Sequence, residues 1–192
     1  MANFLLEYLR QPRRVGAVAP SGRALAEKMM EPIDFDRARL VVEYGPGTGS
    51  FTEELCRRKR PDTVLVLIEQ NRQFYDAVRQ RFRGQPGVIF VRGSAERADC
   101  ILSRLGLGKA DYVVSGLPFA SLPKRVSLRV FAATNAILSP SGRFITFQYT
   151  LVKERFFRRY FDLPQKLFVP KNLPPAFVFV CAKLGESSAE SE

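Results

Sequence analysis

The chain contains no histidine, so a mechanism built on an imidazole base or a His-ligated metal is excluded. Cysteine is scarce: Cys56, Cys100 and Cys181 are far apart and odd in number. This argues against a disulfide framework and a zinc site, and for reduced thiols packed as small hydrophobes in a cytoplasmic protein. No metal is expected. Long apolar runs are missing too. Nothing approaches the roughly 18 uncharged apolar residues of a spanning helix, and the N-terminus lacks the basic-then-apolar pattern of a secretory signal.

Acidic residues are the last deficit, 19 against 30 Lys plus Arg, for a net charge of +11. Such an excess favours polyanions, either nucleic acid or an anionic membrane surface, or it is a solubilising charge without a partner. It is concentrated in Arg10-Gln11-Pro12-Arg13-Arg14, in Arg57-Arg58-Lys59-Arg60, and in "KERFFRRYF", where basic and aromatic residues interleave.

With 192 residues and 46% apolar content the chain is sized for one domain with a full core. A short apolar segment, "NFLLEYLR" at 3–10, is broken by Pro12, and a helix is expected from an N-cap at Ser21. Strands and helices then alternate. "RLVVEY" (39–44), "TVLVLIE" (63–69), "GVIFVRG" (87–93), "DYVVSGLPF" (111–119) and "GRFITFQYT" (142–150) read as strands, the first two continuous enough to be buried on both faces. "FTEELCRRK", "NRQFYDAVRQRF", "AERADCILSRL", "PKRVSLRVFAATNAILSP" (stopped by Pro140) and "LVKERFFRRYF" read as helices. "QKLFVP" and "AFVFVCAKL" make two final strands, giving seven in all, and the tail 185–192 is expected to be disordered. The alternation predicts a single α/β domain over 1–184, a mostly parallel sheet with helices on both faces. In such sheets ligands bind beyond the carboxyl ends of the strands. The unusual residues fall there: Glu43 to Gly49, Glu69, Gly93 to Glu96, and Ser115 to Phe119.

After the first strand, Glu43-Tyr44-Gly45-Pro46-Gly47-Thr48-Gly49 crowds three glycines behind an acid. A dinucleotide fingerprint would place its third glycine where Ser50 stands, and no Gly-Lys-Ser/Thr of a P-loop occurs. The E-x-G-x-G-x-G pattern resembles motif I of the class I S-adenosylmethionine-dependent methyltransferases, a Rossmann-like fold. A carboxylate at that strand end suits a cationic amine and sulfonium better than a pyrophosphate. Glu69 and Gln70 close the second strand, where an acid accepts both ribose hydroxyls of a nucleoside. Ser94, Ala95 and Glu96 stand where the resemblance implies contact with adenine.

"VVSGLPF" resembles the Asn-Leu-Pro-Tyr loop of the rRNA adenine dimethylases, with Gly116 in place of the Asn and Leu117, Pro118 and Phe119 keeping the remainder. The lost side-chain acceptor weighs against adenine. The whole pattern, "GAVAPSGRAL", "VVEYGPGTGSFT", "SGLPFASLP" and "NLPPAFVF", resembles the bacterial phospholipid N-methyltransferases of the Rhodobacter type, which methylate phosphatidylethanolamine. That resemblance spans about residues 4–183 and implies S-adenosylmethionine as cofactor, a phospholipid acceptor, and an N-terminal helix lying on the membrane. Phe4, Leu5, Tyr8 and Leu9 share one face of that helix and Arg10, Arg13 and Arg14 follow, which suits an anionic interface or a helix capping the core. An rRNA adenine N6-methyltransferase, with nucleic acid as partner, stays open as a second reading and a non-catalytic S-adenosylmethionine-binding module on anionic membranes as a third; oligomeric state is open.

Methyl transfer to an amine requires alignment and loss of the amine proton. Without histidine, that proton goes to Tyr, a carboxylate, water or the substrate phosphate. Tyr149, at the end of the fifth strand, and Tyr44 are the candidates by position, Tyr149 the better. The Ser115–Phe119 loop is expected to line the acceptor site, with Phe119 stacking on methylammonium states.

Overall fold

The computed structural model describes residues 20–184. The segment at 3–10 and the tail at 185–192 lie outside the described residues. Helix α1 (Pro20–Met30) leads into strand β1 (Leu40–Tyr44), starting one residue ahead of the expected cap at Ser21. There follow α2 (Ser50–Arg58), β2 (Val64–Glu69), α3 (Arg72–Arg81), β3 (Val88–Arg92), α4 (Ala98–Arg104) and β4 (Ala110–Ser115). The second half is α5 (Lys124–Ile137), β5 (Leu138–Gln148), the short α6 (Glu154–Phe157), β6 (Asp162–Val169) and β7 (Ala176–Ala182).

The seven strands form one sheet in the order β3-β2-β1-β4-β5-β7-β6. Pairings from β3 through β5 are parallel, and β7 lies antiparallel between β5 and β6. The chain moves outward from β1 to β3 and then crosses back to β4, so order reverses between β1 and β4, where such sheets open a ligand crevice.

Alternation along each strand divides the core in two. Val42, Tyr44, Val113, Phe144 and Phe179 pack with Phe131 of α5 and Phe157 of α6 on one face. Val41, Leu65, Val114, Ile145 and Val178 pack on the other with Met29 of α1, Leu55 of α2 and Val78 of α3. Burial on both faces explains why β1 and β2 read as unbroken apolar runs.

Two expected boundaries move. Helix α5 ends at Ile137, and Pro140 lies in β5, exposed, within a ladder irregularity that jumps from Ala110↔Leu138 to Tyr112↔Arg143. A residue lacking an N–H is accommodated where the ladder is interrupted. The expected helix over 151–161 is reduced to a 3-10 turn (Leu151–Lys153) and the four residues of α6, and β6 starts at Asp162, ahead of the expected Gln165.

Candidate active site

The loops after β1, β2, β3 and β4 are fastened to one another by backbone hydrogen bonds at the carboxyl end of the sheet. Gly45 N–H donates to the Ile68 carbonyl at 3.0 Å, Gly93 N–H to Glu69 at 3.0 Å, and Gly116 N–H to Tyr44 at 2.8 Å. Loops far apart in sequence, from the glycine loop after β1 to the Ser115–Phe119 loop after β4, thereby meet at one end of the sheet.

The glycine loop runs from β1 into α2 with Gly45, Gly47 and Gly49 at φ of 62°, 55° and 87°, a region open to glycine at little cost. Their surroundings differ. A Cβ on Gly49 would meet the Phe82 ring at 2.6 Å, whereas one on Gly47 would meet nothing nearer than the Gly45 carbonyl at 3.9 Å. Gly47 thus presents bare backbone to open space, a cradle that a side chain would fill. Arg81 fixes the outer side: Nη1 donates to the Thr48 carbonyl at 2.9 Å, and Nη2 pairs with Glu53.

Glu43 lies wholly buried beneath this loop. Its Oε2 accepts from the Thr52 hydroxyl at 2.8 Å, while Oε1 has no hydrogen-bond partner. Burial pushes the carboxyl up to about 8, the Thr52 hydroxyl opposing and the charge of Glu69 adding to the shift. A buried acceptor left unpaired beneath a bare-backbone loop fits a ligand with a cationic donor. Glu69 is also nearly buried. Its carboxylate accepts from Gly47 N–H at 3.2 Å and from Asn71 N–H at 2.8 Å, and burial raises its pKa. It spans the β1 and β2 loops with lone pairs to spare for hydroxyl donors.

Gln70 is exposed at the edge of a cleft of about 380 Å³, shared with Gly93, Ser94, Arg97 of the turn that follows, and residues of β3 and α4 including Cys100. Ser94 caps the following turn, its hydroxyl accepting from Glu96 N–H at 3.2 Å, and Ala95 is buried. The Glu96 carboxylate is engaged by Arg129 of α5; it is drawn toward α5 and is less available to a ligand than expected.

After β4, the buried Ser115 hydroxyl accepts from Leu117 N–H at 3.2 Å. Gly116 is pressed against the glycine loop, where a Cβ would lie 2.7 Å from the Gly45 carbonyl oxygen. Leu117 packs over Gly45, whose own Cβ would come within 3.0 Å of it. The Pro118 carbonyl accepts from Ser121 and Leu122 N–H groups.

Two expected roles need correction. Phe119 offers no face to an acceptor: its ring is buried against Phe131, Phe144 and Phe157 at 5.2–6.1 Å, because the loop turns its aromatic inward to the core. Tyr44 is likewise no candidate for taking up a proton. Strand alternation points it into the core on the α5 side, its hydroxyl accepts from Thr134 at 3.3 Å, and burial raises its pKa. Tyr149 remains at the carboxyl end of the sheet, half-buried, its ring edge-on to Phe147 at 5.4 Å.

Two polar residues were passed over in the sequence. Thr146 and Gln148 are buried on the same face of β5, and Thr146 pairs in register with Ser115. The signal was two polar residues alternating within the otherwise apolar "FITFQ". Among the described residues no group of acids and cysteines is arranged to hold a metal.

No protein-family model matches the chain. It is similar to the ornithine lipid N-methyltransferase of Singulisphaera acidiphila, 36% identical over 186 residues that make up 96% of each chain. The ribosomal RNA small subunit methyltransferase A of Persephonella marina is 28% identical over 119 residues, 62% of this chain and 41% of that protein. The N-methyltransferase NodS of Bradyrhizobium japonicum WM9, solved with S-adenosyl-L-homocysteine, superposes with a TM-score of 0.69 at 12% identity, covering 95% of this chain and 98% of that one. At that identity the likeness is one of fold.

Proposed function

The chain belongs to the bacterial lipid N-methyltransferase family of the Singulisphaera protein, within the class I S-adenosylmethionine-dependent methyltransferases, and we propose that it methylates the primary amine of a membrane aminolipid. The observation that carries this reading is similarity over 96% of both chains to an enzyme named for a lipid acceptor. Phosphatidylethanolamine, to which the sequence motifs point, and ornithine lipid, named in that relative, share the chemistry required: an aliphatic primary amine on an acyl-bearing lipid. The proposed setting is the cytoplasmic face of the membrane, supported by the +11 charge.

The cofactor supplies a methyl group on a sulfonium, already activated for displacement. The residues that would hold it are the backbone of Gly45–Gly49 over Glu43, Glu69 for the ribose, and Gln70, Ser94 and Ala95 for the base. What the chain must add is alignment and proton removal. A primary ammonium has a pKa of about 10, and the apolar loop around Leu117 and Pro118 favours its neutral form by desolvation. The Tyr149 hydroxyl is the proposed relay: its oxygen accepts the hydrogen bond from the ammonium and, as it takes that proton, its own O–H proton passes to water, leaving the phenol neutral.

The test is transfer of labelled methyl from S-adenosylmethionine to phosphatidylethanolamine vesicles, ornithine lipid vesicles, or ribosomal RNA. Label in either lipid supports the reading and identifies the acceptor; label in RNA alone overturns it. Tyr149→Phe is expected to lower kcat about 10²-fold or more with cofactor affinity kept, in line with the usual contribution of a positioned acid–base group. An unchanged kcat removes Tyr149 from the mechanism.

A further inference from the structure

Six large apolar side chains stand exposed among the described residues, and four gather at one corner: Leu151, Val152, Phe168 and Leu173. Val152 is 83% and Leu173 84% exposed. Scattered surface apolar residues need no explanation, but a cluster does.

Topology creates this corner. Strand β5 pairs antiparallel with β7, Gln148 opposite Phe177, and β6 ends at Val169 opposite Ala176. The turn after β5 and the β6–β7 hairpin loop therefore emerge at the carboxyl end of the sheet, on the rim that carries the glycine loop and the Ser115–Phe119 loop. The hairpin loop is built to present its tip. Asn172 is buried and its amide donates to the Pro174 carbonyl at 2.6 Å, while the adjoining Leu173 is held out to solvent.

The charge around these tips is of one sign. From Thr150 to Leu184 the acids are Glu154 and Asp162 alone, against seven basic residues. Glu154 is taken up by Arg158 at 2.9 Å and Lys166 at 3.0 Å, and Asp162 begins β6 at the opposite end of the sheet. Near the tips, Arg155 and Lys171 have no ion-pair partner among the described residues. Aliphatic tips backed by unpaired cations are what an interface of acyl chains and anionic headgroups accepts. A single-stranded nucleic acid would instead call for a series of exposed aromatic platforms; of the four side chains at this corner only Phe168 is aromatic, and its ring packs on Phe177 at 5.0 Å.

We propose that the rim formed by residues 150–153 and 170–175 seats the protein on an anionic bilayer, with Val152 and Leu173 entering the headgroup–acyl boundary. This rests on the lipid-acceptor reading and adds the orientation. The crevice mouth then faces the headgroups, and a lipid amine reaches it while its acyl chains remain in the membrane.

The experiment is sedimentation of the full chain with vesicles of equal parts phosphatidylglycerol and phosphatidylcholine, without cofactor, comparing wild type with the double variant Val152→Ser/Leu173→Ser. The variant should bind at least about tenfold more weakly, melt with the wild type, and keep its methyl transfer to a monomeric short-chain phosphatidylethanolamine. Equal vesicle binding by the two proteins overturns the proposal, as does wild-type binding to RNA hairpins but not to vesicles. Loss of transfer to the short-chain lipid with the melting temperature kept also overturns it, because the two side chains would then belong to the acceptor site. Sedimentation needs no turnover, so a failure of the acceptor reading shows separately, as a wild type that binds vesicles yet labels no lipid.

Discussion

Glu43 combines full burial, one hydroxyl donor and one unpaired oxygen, and its carboxyl is held up to about 8. With the folded pKa above the ordinary 4.5, the native state binds more protons than the unfolded chain between those values. Stability is therefore lost as pH rises through that window, by up to about 1.4 kcal/mol per unit. Chemical denaturation of Glu43→Gln and wild type from pH 5 to 9 should show a difference that grows in favour of the variant up to about pH 8 and then levels; a pH-independent difference contradicts the assignment. Gly116 gives a second prediction. The Gly116→Asn variant, which restores the residue of the adenine dimethylases, places a Cβ against the Gly45 carbonyl. It should cost about 1–3 kcal/mol as an overpacked site, loosen cofactor binding, and create no transfer to adenine, as read by melting, cofactor titration and RNA labelling. The missing Asn was legible in the sequence as a lost acceptor. Its steric reason was not, since it depends on two loops about seventy residues apart pressing together.

At the scale of elements, Phe131 joins α5 to the acceptor loop, to β5 and to α6. Its ring lies 4.9–5.3 Å from those of Phe119, Phe156, Phe157 and Phe161. Phe131→Ala should cost about 3–5 kcal/mol in denaturant unfolding and release the loop that Phe119 anchors, so that activity falls even at temperatures where the variant is folded. The continuous apolar runs of β1 and β2 and the β–α alternation made the parallel half of the sheet readable, because burial on both faces leaves no polar positions. The segment 151–161 misled for a physical reason: its aromatics at helical spacing are core residues delivered by a 3-10 turn and one helical turn, and periodicity does not separate these from a longer helix. Phe119 and Tyr44 show the same limit at the site. Both stand beside the motifs in the sequence, but strand alternation and loop packing point both rings into the core.

For the whole molecule, the excess of basic residues and the cluster of apolar tips at one end of the sheet share a single rationale if the acceptor lies in a membrane. Deleting residues 1–12, which carry Phe4, Leu5, Tyr8, Leu9 and Arg10, should then weaken sedimentation with anionic vesicles beyond the effect of Val152→Ser/Leu173→Ser alone. Binding, however, speaks only to location. The central claim is chemical, that a lipid amine receives the methyl group. Its most direct measurement is mass spectrometry of a single mixture in which the purified chain, S-adenosylmethionine, aminolipid vesicles and ribosomal RNA react together. The account predicts methyl increments on the lipid headgroup amine and unmodified adenine throughout the RNA; methylated adenine beside unchanged lipid would contradict it.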